Sequence, residues 1–340
     1  MLDALAFEPQ FLDHVAPVWQ ALPEGLRGML YVDESLAARA IAKGLDFETI
    51  DAGARRVSSP PPKAAPGDGP VALTASIGDI KIGRRMGYRK FIFQEHGCGQ
   101  AYLGDRGIRH PSYAGGADRE DVALFLMPNE YSANLWRQAY PALVEVVGSP
   151  RLDLLPRKAV PGHVVAISFH WPAFASQEAG TAMGHYFHSL KELAQRFEMI
   201  GHCHPKGDWP AEMERVYRRA GIEFVPDFDE VCRRADVYVC DNSSTMFEFA
   251  ATGRQVVVLN HPQYRRNVSH GGRFWDWAPV GVQVDGPAEL PAAIERALED
   301  RQADRDSRDA VLRLVFAYPS GAAKRAADAI VNWMRSEVAA

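Results

Sequence analysis

Three stretches of the 340-residue chain bring hydroxyls, imidazoles and carboxylates together at spacings that chemistry can use. In the first, the apolar run Val237-Tyr238-Val239-Cys240 leads into Asp241-Asn242-Ser243-Ser244-Thr245 and then Met246-Phe247-Glu248-Phe249-Ala250. This order predicts a buried strand, a tight turn and a helix from Ser243 to Thr252. Helix openings leave backbone N–H groups without partners and carry partial positive charge, so Ser243, Ser244 and Thr245 are candidates to hold a diphosphate. Ser243 acting only as a helix cap is the plainer alternative. Glu248 lies four residues beyond Ser244 on the same helical face, where it can bond ribose hydroxyls or stand as a solvated charge.

The second stretch, Ile200-Gly201-His202-Cys203-His204-Pro205-Lys206, reads as a strand cut short by proline. Strand side chains alternate, so His202 and His204 share a face and Cys203 points away. His204 and Lys206 can grip a diphosphate through charge-assisted bonds. A zinc site on His202, Cys203 and His204 is the competing chemistry, but ligands from opposite faces do not converge on one tetrahedral ion, and no metal is expected. In the third, the strand Lys90 to Phe93 runs into Gln94-Glu95-His96-Gly97-Cys98-Gly99. A neutral imidazole at a strand end can take a proton from an acceptor hydroxyl, with Glu95 or another carboxylate orienting it. His96 is thus a candidate base; a purely structural histidine, or Cys98 as nucleophile, are the alternatives. Glu95, Gly97, Asp241 and Arg273 are further candidate substrate contacts. Arg273 belongs with Arg265 and Arg266 to an aromatic-rich loop (Tyr264, Phe274, Trp275, Trp277) that either walls a pocket or packs a core. His185 and His188 read as a polar helix face.

The elements that position these residues alternate. Apolar runs at Met29 to Val32, Val71 to Thr74, Lys90 to Phe93, Val122 to Met127 and Val144 to Val147 are separated by helical stretches, the first at Leu36 to Lys43. The pattern restarts with strands at Val164 to Phe169, Met199 to His202, Ile222 to Val225, Val237 to Cys240, Val256 to Leu259 and Val280 to Val284. Helices are expected at Met183 to Phe197, Ala211 to Ala220, Ser243 to Thr252 and Leu290 to Glu299. Short apolar runs alternating with helices indicate parallel sheets covered on both faces. The Pro-, Gly- and Ser-rich run Arg56 to Gly69 reads as a surface loop, and Pro150 to Gly162 as an interdomain linker. The expected architecture is α/β: two facing Rossmann-like domains, 1–155 on the acceptor side and 160–300 binding the donor, with an interdomain cleft at the strand ends. Residues 301–340 are expected to be helical, broken near Pro319-Ser320-Gly321.

Composition sets limits on this picture. With 47% hydrophobic and 24% charged residues the chain has enough apolar content for two cores, and a formal charge of −5 gives no electrostatic reason for strong nucleic-acid binding. Four cysteines without CxxC spacing read as reduced thiols. Met1 to Gln20 lacks a secretion signal, and no apolar run spans a bilayer, so a cytoplasmic protein with at most peripheral membrane contact is expected.

The ordered set Gln94-x-His96-Gly97, Gly148-Ser149-Pro150-Arg151-Leu152-Asp153, His204-Pro205, Asp241-Asn242-Ser243-Ser244 with Phe247-Glu248-Phe249, and Gly272-Arg273-Phe274-Trp275-Asp276 resembles the CDP-glycerol glycerophosphotransferase family. These are teichoic-acid primases and polymerases of GT-B fold. The resemblance implies a metal- and cofactor-independent transferase that moves a glycerophosphate-like or glycosyl unit from a CDP- or UDP-type donor to an acceptor hydroxyl by direct attack. It implies His96 as base, and His204 and the Ser243-Ser244-Thr245 helix start on the donor diphosphate. Val225-Pro226-Asp227 would lie near the nucleobase, and the carboxy-terminal helices would cross back to the first domain. Cys98 stands where the family usually has Thr, Asn242 where it has Tyr, and Phe169-His170-Trp171-Pro172 lacks its usual Arg, so the transferred group stays open. Nucleotide-sugar 2-epimerases share such a fold and a Ser-rich phosphate helix, and a catalytically silent nucleotide-binding relative would keep the same residues.

Overall fold

The computed structural model describes residues 1–53, 70–98, 102–103, 109–110, 119–156, 160–172, 181–261 and 278–339. The run expected as a surface loop (Arg56 to Gly69) and the basic-aromatic loop with Tyr264, Arg265, Arg266, Arg273, Phe274, Trp275 and Trp277 lie outside the described residues. The chain forms two compact units. One comprises Met1–Cys98, Gly115–Leu154 and Phe316–Ala340; the other comprises Gly99–Ala114 and Leu155–Val315.

In the first unit, strands β1 (Leu2–Ala6), β2 (Arg27–Asp33), β3 (Glu48–Ile50), β4 (Val71–Thr74), β5 (Lys90–Gln94), β8 (Val122–Met127) and β9 (Leu143–Val146) build one sheet in the order β3-β2-β1-β4-β5-β8-β9. The two-residue strands β6 (Tyr102–Leu103) and β7 (Arg109–His110), which belong to the second unit, pair separately, antiparallel. Every pairing in the large sheet is parallel. Helices α1 (Pro9–Ala21), α2 (Ala37–Ala42), α3 (Ile77–Met86) and α4 (Glu130–Ala139) connect the strands. The last helix, α12 (Ala322–Ala339), also belongs here: Ala326, Ala327, Ile330 and Trp333 share a core with Leu12, Val15 and Trp19 of α1.

In the second unit, β10 (Val165–Phe169), β11 (Met199–Cys203), β12 (Glu223–Phe224), β13 (Val237–Cys240), β14 (Gln255–Leu259) and β15 (Val282–Val284) form an all-parallel sheet in the order β12-β11-β10-β13-β14-β15. Helices α5 (Met183–Tyr186), α6 (Leu190–Arg196), α7 (Trp209–Ala220), α8 (Phe228–Arg234), α9 (Thr245–Ala251), α10 (Leu290–Glu299) and α11 (Arg305–Val315) complete it. Both units are Rossmann-like, as the alternating pattern predicts, and both sheets reverse strand order about a central strand, β1 or β10. Among the described residues no helix is long and apolar enough to cross a membrane.

Three departures have physical causes. The central strand β1 escapes a search for apolar runs because Asp3 interrupts it. That carboxylate is satisfied by partners far along the chain, accepting the Met29 amide (2.7 Å) and the Tyr88 hydroxyl (2.6 Å). The expected linker begins with structure: Pro150–Asp153 is a 3-10 turn, and Arg151, 3% exposed, pairs with Asp13 of α1 at 3.0 Å. Asp153 then receives the Gly321 and Ala323 amides at the start of α12. The expected helix Met183 to Phe197 is broken into α5, a 3-10 turn and α6, where the Ser189 hydroxyl bonds the Tyr186 carbonyl at 2.7 Å.

The strand that carries His204 is fixed by close packing. The Tyr217 ring lies against Gly201, where a Cβ would sit 2.5 Å from ring carbons, and its hydroxyl lies 2.8 Å from the His202 carbonyl and 3.0 Å from that of Ile167. Gly201→Ala is therefore expected to lose about 1–3 kcal/mol in urea unfolding, the usual cost of overpacking. A variant as stable as the native chain would contradict this packing.

Candidate functional site

In the second unit the candidate residues collect at the carboxyl ends of β10, β11 and β13, three neighbouring strands. Parallel strands that end together leave the amides of the following loops to be satisfied by something else. Asp241 does this at the end of β13. Only 1% exposed, its Oδ1 accepts the His170 amide and its Oδ2 the Ala182 amide, both at 2.8 Å. Burial pushes its carboxyl up to about 7, against the opposing effect of these amides. Asp241, expected as a substrate contact, thus engages both carboxylate oxygens with the connection that follows β10.

The Ser-Ser-Thr segment also differs from expectation. The helix starts at Thr245, not Ser243, and α9 has only seven residues. Ser243 donates its amide to the Asp241 carbonyl at 2.9 Å, and its Oγ accepts the Thr245 amide at 3.3 Å. The Ser243 and Thr245 hydroxyls hydrogen-bond each other at 2.7 Å, and Thr245 is also 2.9 Å from the Tyr238 hydroxyl. These contacts lock the turn, which leaves Ser243, Ser244 and Thr245 half-buried in a fixed shape. Glu248 is 6% exposed and so is not a solvated charge.

The histidines of β11 separate into two kinds. His202 is a satisfied core residue: buried, it donates Nδ1–H to the Val225 carbonyl at 2.9 Å and packs against Phe228. Cys203 is buried as well, with its thiol pushed up to about 12. His204 is half-buried, and its ring lies 5.0 Å from His170 and 6.2 Å from Trp171. Lys206 is half-buried two residues on, its amide bonded to the His204 carbonyl at 2.9 Å. His170 and Trp171 thus join the site; their place immediately after strand β10 was the signal for them. Among the described residues no group of three or more His, Cys, Asp or Glu could hold a metal ion. The proposed base-reading loop is partly committed elsewhere. Val225 gives its amide to the Gly201 carbonyl at 2.8 Å and its carbonyl to His202, while Asp227 caps α8 by accepting the Asp229 amide at 3.2 Å. Pro226 between them is exposed.

In the first unit His96 follows β5, beside the end of β4. Its Nδ1 lies 2.7 Å from the Ala75 carbonyl, which can only accept, so Nδ1 carries the proton and Nε2 is the basic nitrogen. The ring lies 4.8 Å from the Phe11 ring, edge-on, and 6.3 Å from His14. Burial lowers the His96 pKa to about 4, and the Arg119 charge adds to this. Glu95 makes no direct side-chain bond to the ring, as a carboxylate orienting it would: Nδ1 is 3.7 Å from Glu95 Oε1 and its bond goes to Ala75. Glu95 Oε1 instead accepts the amides of His96 and Gly97, each at 3.0 Å. Cys98 is buried, and its carbonyl accepts from Asn129 at 2.8 Å.

The titrations oppose one another. The folded chain refuses His96 a proton that the unfolded chain takes, so this contribution to stability is lost as pH falls through 6.5 towards 4. Glu95 and Asp241, pushed up to about 7 by burial, hold protons that the unfolded chain has released, so their contributions are lost as pH rises towards 7. Asp241→Asn retains one acceptor oxygen for two amides and is expected to destabilise the chain by about 1–3 kcal/mol. The deficit in urea unfolding should shrink between pH 5 and pH 8; a deficit that grows would place the Asp241 carboxyl below its ordinary range.

Residues 186–332 match the model of the family described as CDP-Glycerol:Poly(glycerophosphate) glycerophosphotransferase. No curated protein matches the sequence significantly. Among solved structures, the wall teichoic acid polymerase TagF is similar at 10% identity and a TM-score of 0.64, over 99% of this chain and 90% of that one. A UDP-N-acetylglucosamine 2-epimerase is similar at 9% identity and 0.60, over 100% and 96%. The S. aureus MnaA–UDP structure is similar at 12% and 0.61, over 99% and 96%. At these identities the structures establish the fold. This chain therefore has the GT-B-type α/β fold, and its residues 186–332 are similar to the CDP-glycerol glycerophosphotransferase family that its ordered motifs resemble.

Proposed function

We propose that this chain is a transferase that takes a CDP- or UDP-type nucleotide-diphosphate donor and moves a glycerophosphate-like or glycosyl unit to an acceptor hydroxyl. The observation that carries this is the family match over residues 186–332, the segment that contains His204, Lys206, Ser243, Ser244, Thr245 and Glu248. In this reading His204, Lys206 and the locked Ser243–Thr245 turn hold the diphosphate. Charge-assisted bonds to the phosphate oxygens then stabilise the charge that builds on the leaving group. The loop at Val225, Pro226 and Asp227 lies along the nucleobase, with Pro226 and the Asp227 backbone as its available edge, and Glu248 meets the ribose.

His96 supplies the base. The acceptor oxygen attacks the donor phosphorus or anomeric carbon as Nε2 takes the hydroxyl proton, and the bond to the departing nucleotide phosphate breaks with its electron pair. The ring is neutral over the physiological range, so Nε2 keeps its lone pair for that proton, while burial makes it a weaker base than a solvated imidazole. No metal or cofactor takes part in this scheme.

The second reading is a nucleotide-sugar 2-epimerase, favoured by the similarity to a 2-epimerase and to MnaA. Such a reaction draws on several active carboxylates. Of the three candidates, Glu95 and Asp241 are engaged with backbone amides, which favours the transferase.

His96→Ala is expected to lower turnover by about two to four orders of magnitude while nucleotide affinity in calorimetry stays within about twofold. Candidate donors for this assay come from a thermal-shift screen of CDP- and UDP-conjugates, since a ligand of the folded state raises its melting temperature. Loss of nucleotide affinity in His96→Ala would move His96 to the donor site. Epimer formation from a UDP-sugar without an acceptor would replace the transferase reading.

A further inference from the structure

Glu95 occupies the one position that the Gln-x-His-Gly pattern leaves unspecified, and its surroundings are unusual for an acid. Its side chain is only 5% exposed, and Oε1 turns back to the amides of His96 and Gly97 at 3.0 Å each. Its own amide bonds the Leu126 carbonyl of β8 at 2.9 Å, so the residue is anchored to the sheet. Arg119, 2% exposed, lies with its guanidinium over the Phe93 ring at 5.1 Å and the Trp136 ring at 5.3 Å, and its charge acts on both Glu95 and His96. A buried cation held between two aromatic faces is a fixed counter-charge and not a solvated one.

We propose that Glu95 is a positioning residue for His96: its carboxylate, balanced by Arg119, clamps the His96–Gly97 backbone so that the ring stays docked on the Ala75 carbonyl with Nε2 as its basic nitrogen. This rests on the reading of His96 as the base. The clamp explains how a loop with a glycine immediately after His96 keeps one ring position: the ring is held through Nδ1 and against Phe11, the backbone through Glu95. Because a carboxylate accepts two amides better than a carboxylic acid does, the clamp is strongest when Glu95 is ionised. The charged and titratable groups on the elements packed around it are Arg119 ahead of β8, His96 itself, and His14 on α1 with Asp13 and Arg151 behind it. To these is added the buried Asp79 in the first turn of α3.

The test compares Glu95→Ala, which removes the acceptor, with Glu95→Gln, which keeps an acceptor oxygen and loses only the charge. Turnover of Glu95→Ala should fall roughly a hundredfold, with donor KM little changed, as expected for a displaced base. Glu95→Gln should recover most of it, and the acidic limb of the native rate profile near pH 7 should be absent in Glu95→Gln. Independently of turnover, amide-resolved NMR should show the His96 and Gly97 amide protons shifting with a midpoint near 7 in the native chain. That step should be lost in Glu95→Gln, and in Glu95→Ala the same protons should move upfield. Native-like amide shifts in both variants, or turnover of Glu95→Ala within about threefold of native, would overturn the proposal. A native chain that turns over no nucleotide donor would sink the transferase reading instead, and the amide titration would still decide the role of Glu95.

Discussion

Parallel strands that end side by side strand the amides of the loops that follow them, and in this protein carboxylates take up those amides. Asp241 holds His170 and Ala182, and Glu95 holds His96 and Gly97. The same device recurs away from the candidate site. Asp236 accepts the Gly162 and Val164 amides at 2.7 and 3.0 Å ahead of β10, and Asp153 accepts two amides at the start of α12. An unsatisfied buried amide costs about 1–3 kcal/mol, so each carboxylate fixes a loop that would otherwise have several competing arrangements.

This explains why the polar residues at the strand ends of each unit divide as they do. Groups nearest the strand ends, Asp241, Glu95 and His202, are used up in holding backbone. Those one or two residues further out, His96, His204, Lys206, Ser243 and Ser244, are only half-buried. The inner layer is therefore scaffold, and the outer layer is the part that a ligand would meet. In the second unit that outer layer follows β11 and β13, on either side of the central strand β10 where the strand order reverses, which is where open α/β sheets take ligands.

The architecture was legible because buried parallel strands are apolar throughout and the helices between them are long enough to show their period. What stayed hidden was polar residues with partners far away in the chain. Asp3 hid the central strand because Tyr88, its partner, is distant in sequence. Arg151 hid a packed turn because nothing near Pro150 announces Asp13. Among the candidate residues, sequence reasoning picked out His96, His204 and the serine pair by their place after strands, and the family match covers the last two of these. It did not show that Asp241 and Glu95 serve the backbone, since a carboxylate beside a histidine reads the same whether it faces a substrate or a loop. Strand alternation put His202 and His204 on one face; the sequence singled out His204 as the residue nearer the strand's end, and His202 is a core residue.

The central claim is that a nucleotide diphosphate lies against the Ser243–Thr245 turn beside His204. Soaking crystals of the native protein with CDP tests it without reference to any reaction. Diphosphate density in contact with Ser243, Ser244 or Thr245 and with His204 is the predicted result. A nucleotide bound elsewhere while this turn stays empty would contradict the account.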